Sequence, residues 1–138
     1  MDNPGFIFVD DDRLVLIFGK MLLKKTVGDV EVETFDVPEE GLNYLTSGLS
    51  TFAEGRPVLL FLDINMPGMD GWEFLDHYSR LGQAVKDRIH IYILSSSVDD
   101  RDKNRGAANP DVKGYLVKPL TKEALQQCIQ ACSLQATF

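Results

Sequence analysis

Four apolar runs in this 138-residue chain end on residues able to do chemistry. "GFIFV" runs into Asp10-Asp11-Asp12, "VLLFL" into Asp63, "IHIYIL" into Ser95-Ser96-Ser97, and "GYLV" into Lys118-Pro119. Carboxylates drawn into one crevice repel each other and are stable at neutral pH only if positive charge joins them. The ligand atoms on offer are oxygens, with no His or Cys. That suits Mg²⁺, which keeps several waters and is held by one or two carboxylates plus a phosphate. A cation, the Lys118 ammonium and the Ser95 hydroxyl around Asp63 are the parts that neutralise a phosphoryl group in transfer. Asp63 can then be the nucleophile, since carboxylates form aspartyl-phosphate intermediates.

Each residue taken alone has a plainer reading. Asp63 by itself is a strand-ending turn residue, Lys118 a solvated loop residue, the serine triplet a loop, and Tyr115 a half-buried strand aromatic. Their joint placement at successive strand ends favours chemistry. His77 and His90 read as surface or packing residues. Asp63, Asn65 and Gly68 fit positions of a Ca²⁺-binding EF-hand loop, but Pro67 and Phe74 stand where that loop needs ligands.

The elements that must position these groups alternate along the chain. Strands are expected at 5–9, 30–35, 57–62, 89–94 and 114–117, mostly apolar without strict alternation, as in a parallel sheet covered on both faces. Between them lie helical spacings. Leu14, Ile17, Phe18, Met21 and Leu22 mark the apolar register of the first helix. Pro38 suits the first turn of the second, and Gly82 is expected to cap the C-terminus of the third. Ser97 and Thr121 are candidate N-caps of the fourth and fifth. The turn-rich stretch 46–57 reads as a solvent-exposed helix end and loop, and Pro110 ends the fourth helix. Five strand–helix alternations imply one open parallel α/β sheet, with ligands outside the carboxyl ends of its strands.

The sequence resembles the receiver domain of two-component response regulators over nearly its whole length. The resemblance rests on "VDD" after the first strand, "LDINMPGMDG" around Asp63, "LSSS" after the fourth and "GYLVKPL" at the fifth. It implies a flavodoxin-like (βα)5 fold, a doubly wound five-stranded parallel sheet of order 2-1-3-4-5. It also implies that Asp63 is the phosphoacceptor, that Asp11 and the Asn65 backbone carbonyl are Mg²⁺ ligands with Asp63, and that Asp10 acts through metal-bound water. Lys118 and Ser95 would each contact a phosphoryl oxygen, with Ser95 and Tyr115 forming the switch. Asn65 and Ser97 would tune dephosphorylation. Asp12 is either the N-cap of the first helix or a participant in metal binding. A cis Lys118-Pro119 bond is usual in the family.

Composition sets the boundaries. At 44% hydrophobic and 25% charged residues, the chain reads as one folded domain spanning 1–138. A net charge of −7 argues against direct nucleic-acid binding. No run approaches the roughly 20 apolar residues of a membrane span, and no signal-peptide layout is present, so the cytoplasm is the expected compartment. Cys128 and Cys132 read as reduced core residues.

The implied partners are a histidine kinase or histidine phosphotransfer protein and a downstream protein at the face of the fourth helix, fifth strand and fifth helix, with a homodimer also open. If these 138 residues are the whole gene product they leave no room for an output domain, and a stand-alone switch is expected rather than a turnover enzyme; if they are part of a longer chain, the output lies outside them. The rival readings are a Mg²⁺-dependent aspartyl-phosphate phosphatase and a phosphate-independent binding module. The phosphatase would need an acid where Asn65 stands, and the complete acidic set weighs against the module.

Overall fold

The computed structural model describes residues 3–49 and 51–136. Its strands are β1 (Gly5–Val9), β2 (Val32–Phe35), β3 (Val58–Leu62), β4 (Ile89–Ser95) and β5 (Val112–Val117). Its helices are α1 (Arg13–Thr26), α2 (Pro38–Thr46), α3 (Gly71–Ser79), α4 (Gln83–Lys86), α5 (Asp100–Ala108) and α6 (Lys122–Ala136). The five strands form one all-parallel sheet in the order β2-β1-β3-β4-β5, as the resemblance implies.

The central strands β1 and β3 are buried along their whole length, so their successive side chains feed two separate cores. Phe6, Phe8, Leu59 and Phe61 pack with Leu16 and Leu23 of α1 and with Leu125, Cys128 and Cys132 of α6. Ile7, Val9, Leu60 and Leu62 pack on the opposite face with Leu45 of α2 and Phe74, Leu75 and Tyr78 of α3. Both cysteines are free and buried, and burial pushes each thiol up to about 11.

Four local expectations are corrected. Most of the first-helix register is reversed: Leu14, Ile17, Phe18 and Met21 are 52–65% exposed, while Leu16, Gly19 and Leu23 face the sheet, and of the expected set Leu22 alone packs against the core. Helix α1 carries two apolar stripes, and the stripe holding Gly19 packs inward because a side chain there would meet the Phe8 ring at 2.7 Å. The third helix stops at Ser79 with Arg80 as its C-cap, so Gly82 instead opens the extra helix α4. The N-cap of α5 is Asp99, whose carboxylate accepts from Arg101 N, rather than Ser97. The stretch 46–57 is not all solvent-exposed, since Leu49 and Phe52 are core residues. Phe52 closes over Gly5, which has no side chain to obstruct it.

Other expectations hold. Pro38 opens α2, α5 ends two residues before Pro110, and Thr121 Oγ1 accepts from Ala124 N at 3.1 Å at the start of α6. The α1 register can be tested by urea denaturation. Leu23→Ala is expected to cost about 2–5 kcal/mol, and Phe18→Ala to change stability by less than about 0.5 kcal/mol. The opposite order would restore the register read from sequence.

Candidate functional site at the C-terminal edge of the sheet

In a parallel sheet every strand ends on the same edge, and here the chemical groups follow those ends. Backbone pairing continues one residue past the strands. Asp63 N donates to Val9 O at 3.0 Å, Asp10 N to Phe35 O at 3.0 Å, and Lys118 N to Ser95 O at 2.8 Å. Asp10 and Asp63 are thereby fixed side by side on adjacent strands, and Lys118 is drawn in from the sheet edge.

The Asp63 loop is held by two devices. Gly68 adopts φ +75°, a left-handed conformation that glycine tolerates. Gly71 lets the start of α3 press against the backbone, since a Cβ there would lie 2.5 Å from Asp63 O and 2.6 Å from Ile64 Cα. A capping box then begins α3: Asp70 Oδ1 accepts from Glu73 N, and Glu73 Oε1 from Asp70 N. This Asp-x-x-Glu spacing is a sequence signature that the motif reading passed over.

The charges meet in a small volume. Asp10 and Asp63 are 3% and 5% exposed, whereas Asp11 is exposed. One carboxylate oxygen from each of the three lies within 4.8 Å of the others. Lys118 Nζ sits 2.7 Å from Asp10 Oδ2 and 3.7 Å from Asp63 Oδ1, so in this state the lysine pairs more closely with Asp10. Asp10 Oδ1 accepts from Asp12 N, and Asp63 Oδ1 from Asn65 N. Asp10 Oδ2 is buried without an aligned hydrogen bond.

Burial pushes Asp63 up to about 6, helped by the Asp10 charge and opposed by Lys118. Asp10 is also raised by burial, against the lowering effect of Lys118. Three carboxylates against one ammonium leave a formal excess of negative charge, which one divalent cation would offset. The all-oxygen donor set fits Mg²⁺.

Asp12 settles as a cap: its Oδ1 accepts from Leu14 N at 3.0 Å at the start of α1. Ser95 is fully buried, and its Oγ accepts from Ser97 N at 3.0 Å. Tyr115 is half-buried and donates its hydroxyl to Ser97 O at 2.9 Å. The Ser97 hydroxyl donates to Asp102 Oδ2 at 2.6 Å, a bond the sequence reading did not foresee. The Lys118-Pro119 bond is cis.

The response regulator receiver domain family model matches residues 6–130 of this chain. The chain belongs to that family. The receiver is similar to a response regulator receiver protein from Dyadobacter fermentans DSM 18053, with a TM-score of 0.82, 32% identity, and coverage of 94% of this chain and 97% of that one. A two component response regulator from Cytophaga hutchinsonii gives a TM-score of 0.86 at 28% identity, covering 97% and 99%. Among curated proteins, the receiver is 29% identical over 122 residues to the cyclic di-GMP phosphodiesterase response regulator RpfG of Xanthomonas campestris pv. campestris (strain 8004). That match covers 88% of this chain and 30% of RpfG. The chain spans half or less of the length of several such relatives. Among the described residues, no helix is long and apolar enough to cross a membrane.

The raised Asp63 carboxyl makes a stability prediction for the metal-free receiver. Between about pH 4 and pH 6 the folded state holds a proton that the unfolded state has released. Stability therefore falls as pH rises through that window and stays lower above it. Asp63→Asn is expected to raise the unfolding free energy at pH 7 by about 1–3 kcal/mol, with the gain shrinking toward pH 4. Urea unfolding in chelator at both pH values checks this, and no gain at pH 7 would count against it.

Proposed function

We propose that this receiver is a phosphorylation-controlled switch in which Asp63 accepts a phosphoryl group from a phosphohistidine. The donor is a histidine kinase or a histidine phosphotransfer protein. The observation that carries this reading is the placement of Asp63: buried, beside a second carboxylate, and within 3.7 Å of Lys118. A carboxylate oxygen of Asp63 attacks phosphorus, the phosphorus–nitrogen bond of the donor breaks, and the imidazole leaves with that electron pair. At pH 7 a carboxyl pushed up to about 6 is mostly ionised and so able to attack.

Asp11, Asp63 and the Asn65 carbonyl would hold Mg²⁺ directly, with Asp10 acting through water. When bound, Mg²⁺ supplies charge neutralisation for the incoming phosphoryl oxygens. Lys118 turns from Asp10 to one phosphoryl oxygen, and the Ser95 hydroxyl donates to another. Asn65 and Ser97 flank the path of the hydrolytic water. The Ser97 hydroxyl is committed to Asp102, which supports a weak role for it in orienting that water.

Phosphorylation adds charge and acceptor oxygens, pulls Ser95 and Lys118 inward, and alters the surface of α5, β5 and α6. Tyr115 on β5 follows Ser95, and a downstream protein reads that surface. The receiver in this reading is one domain, cytoplasmic, and a switch with slow self-dephosphorylation rather than a turnover enzyme.

Intact mass after incubation with acetyl phosphate tests the proposal. The wild type is expected to gain one phosphoryl group only with Mg²⁺, and Asp63→Asn to gain none. Steady release of phosphate with no adduct would point to a phosphatase instead.

A further inference from the structure

Helix α1 is apolar on two faces, and the domain covers one of them. Leu16, Gly19 and Leu23 face the sheet, while Leu14, Ile17, Phe18 and Met21 are exposed on the outside. These are four of the seven large apolar residues exposed among the described residues. They recur at three- and four-residue steps, so they form one stripe along the helix. A helix that is apolar all round is ordinarily packed on both sides. Beside Phe18 the stripe opens into an apolar cleft whose walls include Val15, Leu22, Leu94, Pro119 and Leu120.

Charge around the stripe selects among occupants. The outer face of α1 otherwise carries Arg13, Lys20, Lys24 and Lys25, and the helix has no acidic residue. Asp11 and Asp12, both exposed, stand just before its first turn. Negative charge therefore lies at one end of the stripe, and the Lys24-Lys25 pair lies at the other. Two such helices laid antiparallel complement each other. With Ile17 and Phe18 at the centre, Leu14 of one copy meets Met21 of the other, and each Asp11-Asp12 end lies beside a Lys24-Lys25 end. Laid parallel, the same helices would set like charges together at both ends. An anionic membrane suits the face less well. Asp11, Asp12 and the Asp36 carboxylate that pairs with Arg13 would meet its headgroups, on a chain of net charge −7.

We propose that the outer face of α1 is the contact surface of a homodimer, packed antiparallel on α1 of a second copy of this chain about a two-fold axis beside Ile17 and Phe18. The contact is isologous, so each residue in it acts twice. The inference stands on packing and charge and does not depend on the phosphorylation switch. One helix face per protomer is a small interface, below about 1,200 Å². The dimer is therefore weak, with a dissociation constant on the order of tens of micromolar.

Sedimentation of the full chain from about 5 to 500 µM, with no phosphoryl donor, tests this. The average mass is expected to rise with concentration toward twice that of one chain. Ile17→Glu and Phe18→Glu should each weaken association about tenfold or more, because each places two charges in the apolar contact. Both positions are exposed in the monomer, and a urea transition matching wild type at low concentration confirms that each variant folds. Val98→Glu, which charges an exposed apolar residue between β4 and α5, should leave association unchanged. Orientation is read from Lys24→Gln combined with Lys25→Gln, which antiparallel packing makes about two- to fivefold weaker and parallel packing makes tighter. A wild type that stays monomeric at the highest concentration overturns the proposal. Cosedimentation of that monomer with phosphatidylglycerol vesicles would give the face to a membrane, and no cosedimentation would give it to a different protein. Ile17→Glu and Phe18→Glu variants that associate like wild type, an equal loss in Val98→Glu, or tighter association of the double Gln variant would also overturn it.

Discussion

Asp10 and Asp63 are buried side by side with Lys118 as their neutralising neighbour, and the organisation of the sheet edge depends on how that charge is balanced. A carboxylate loses much of its hydration on burial, and two adjacent ones add mutual repulsion. The fold tolerates this because rigid backbone pairing from β1, β3 and β5 leaves the side chains no route apart. The site is thus held in a strained charge state that a cation or a phosphoryl group's ligands can relieve. In this account function and instability have the same source, so neutralising Asp63 is expected to relieve the strain and to remove the proposed chemistry together.

Around that fixed centre the domain divides into parts of different firmness. The strands and α1, α2, α3 and α6 are tied by two apolar cores. Glycines permit the closest approaches: Gly71 behind Asp63 and Gly19 against Phe8. Helix α5 stands apart, with almost no apolar anchor. Elements that move in a switch come from the weakly held end of a structure, and a loosely held helix beside a rigid site meets that requirement.

The strands and the acidic edge were legible in the sequence because both depend on local pattern. Largely apolar runs mark buried parallel strands, and the acidic residues, serines and lysine that follow four of them mark the candidate site's edge. Sheet order and the family's residue roles came through the resemblance. The register of α1 was not legible, since Leu14, Ile17, Phe18 and Met21 form as good a stripe as the buried one. The choice was made by the fit of Gly19 to Phe8, a contact between distant elements. The same holds for Leu49 and Phe52, which lie in a turn-rich stretch yet fill space beside β1 and β3. Ser97 looked like a helix cap by residue type, but Asp99 lies nearer the helix and accepts from Arg101 N.

The acidic edge is short of positive charge, and a divalent cation bound there is expected to supply it. The most direct measurement is the unfolding free energy of the wild-type chain in urea at pH 7 as Mg²⁺ is raised from zero. Binding to the folded state alone predicts a rise that steepens to about 1.4 kcal/mol per tenfold increase above the dissociation constant. A stability that stays flat up to about 10 mM Mg²⁺ would contradict the claim, because a cation that binds the folded site must stabilise it.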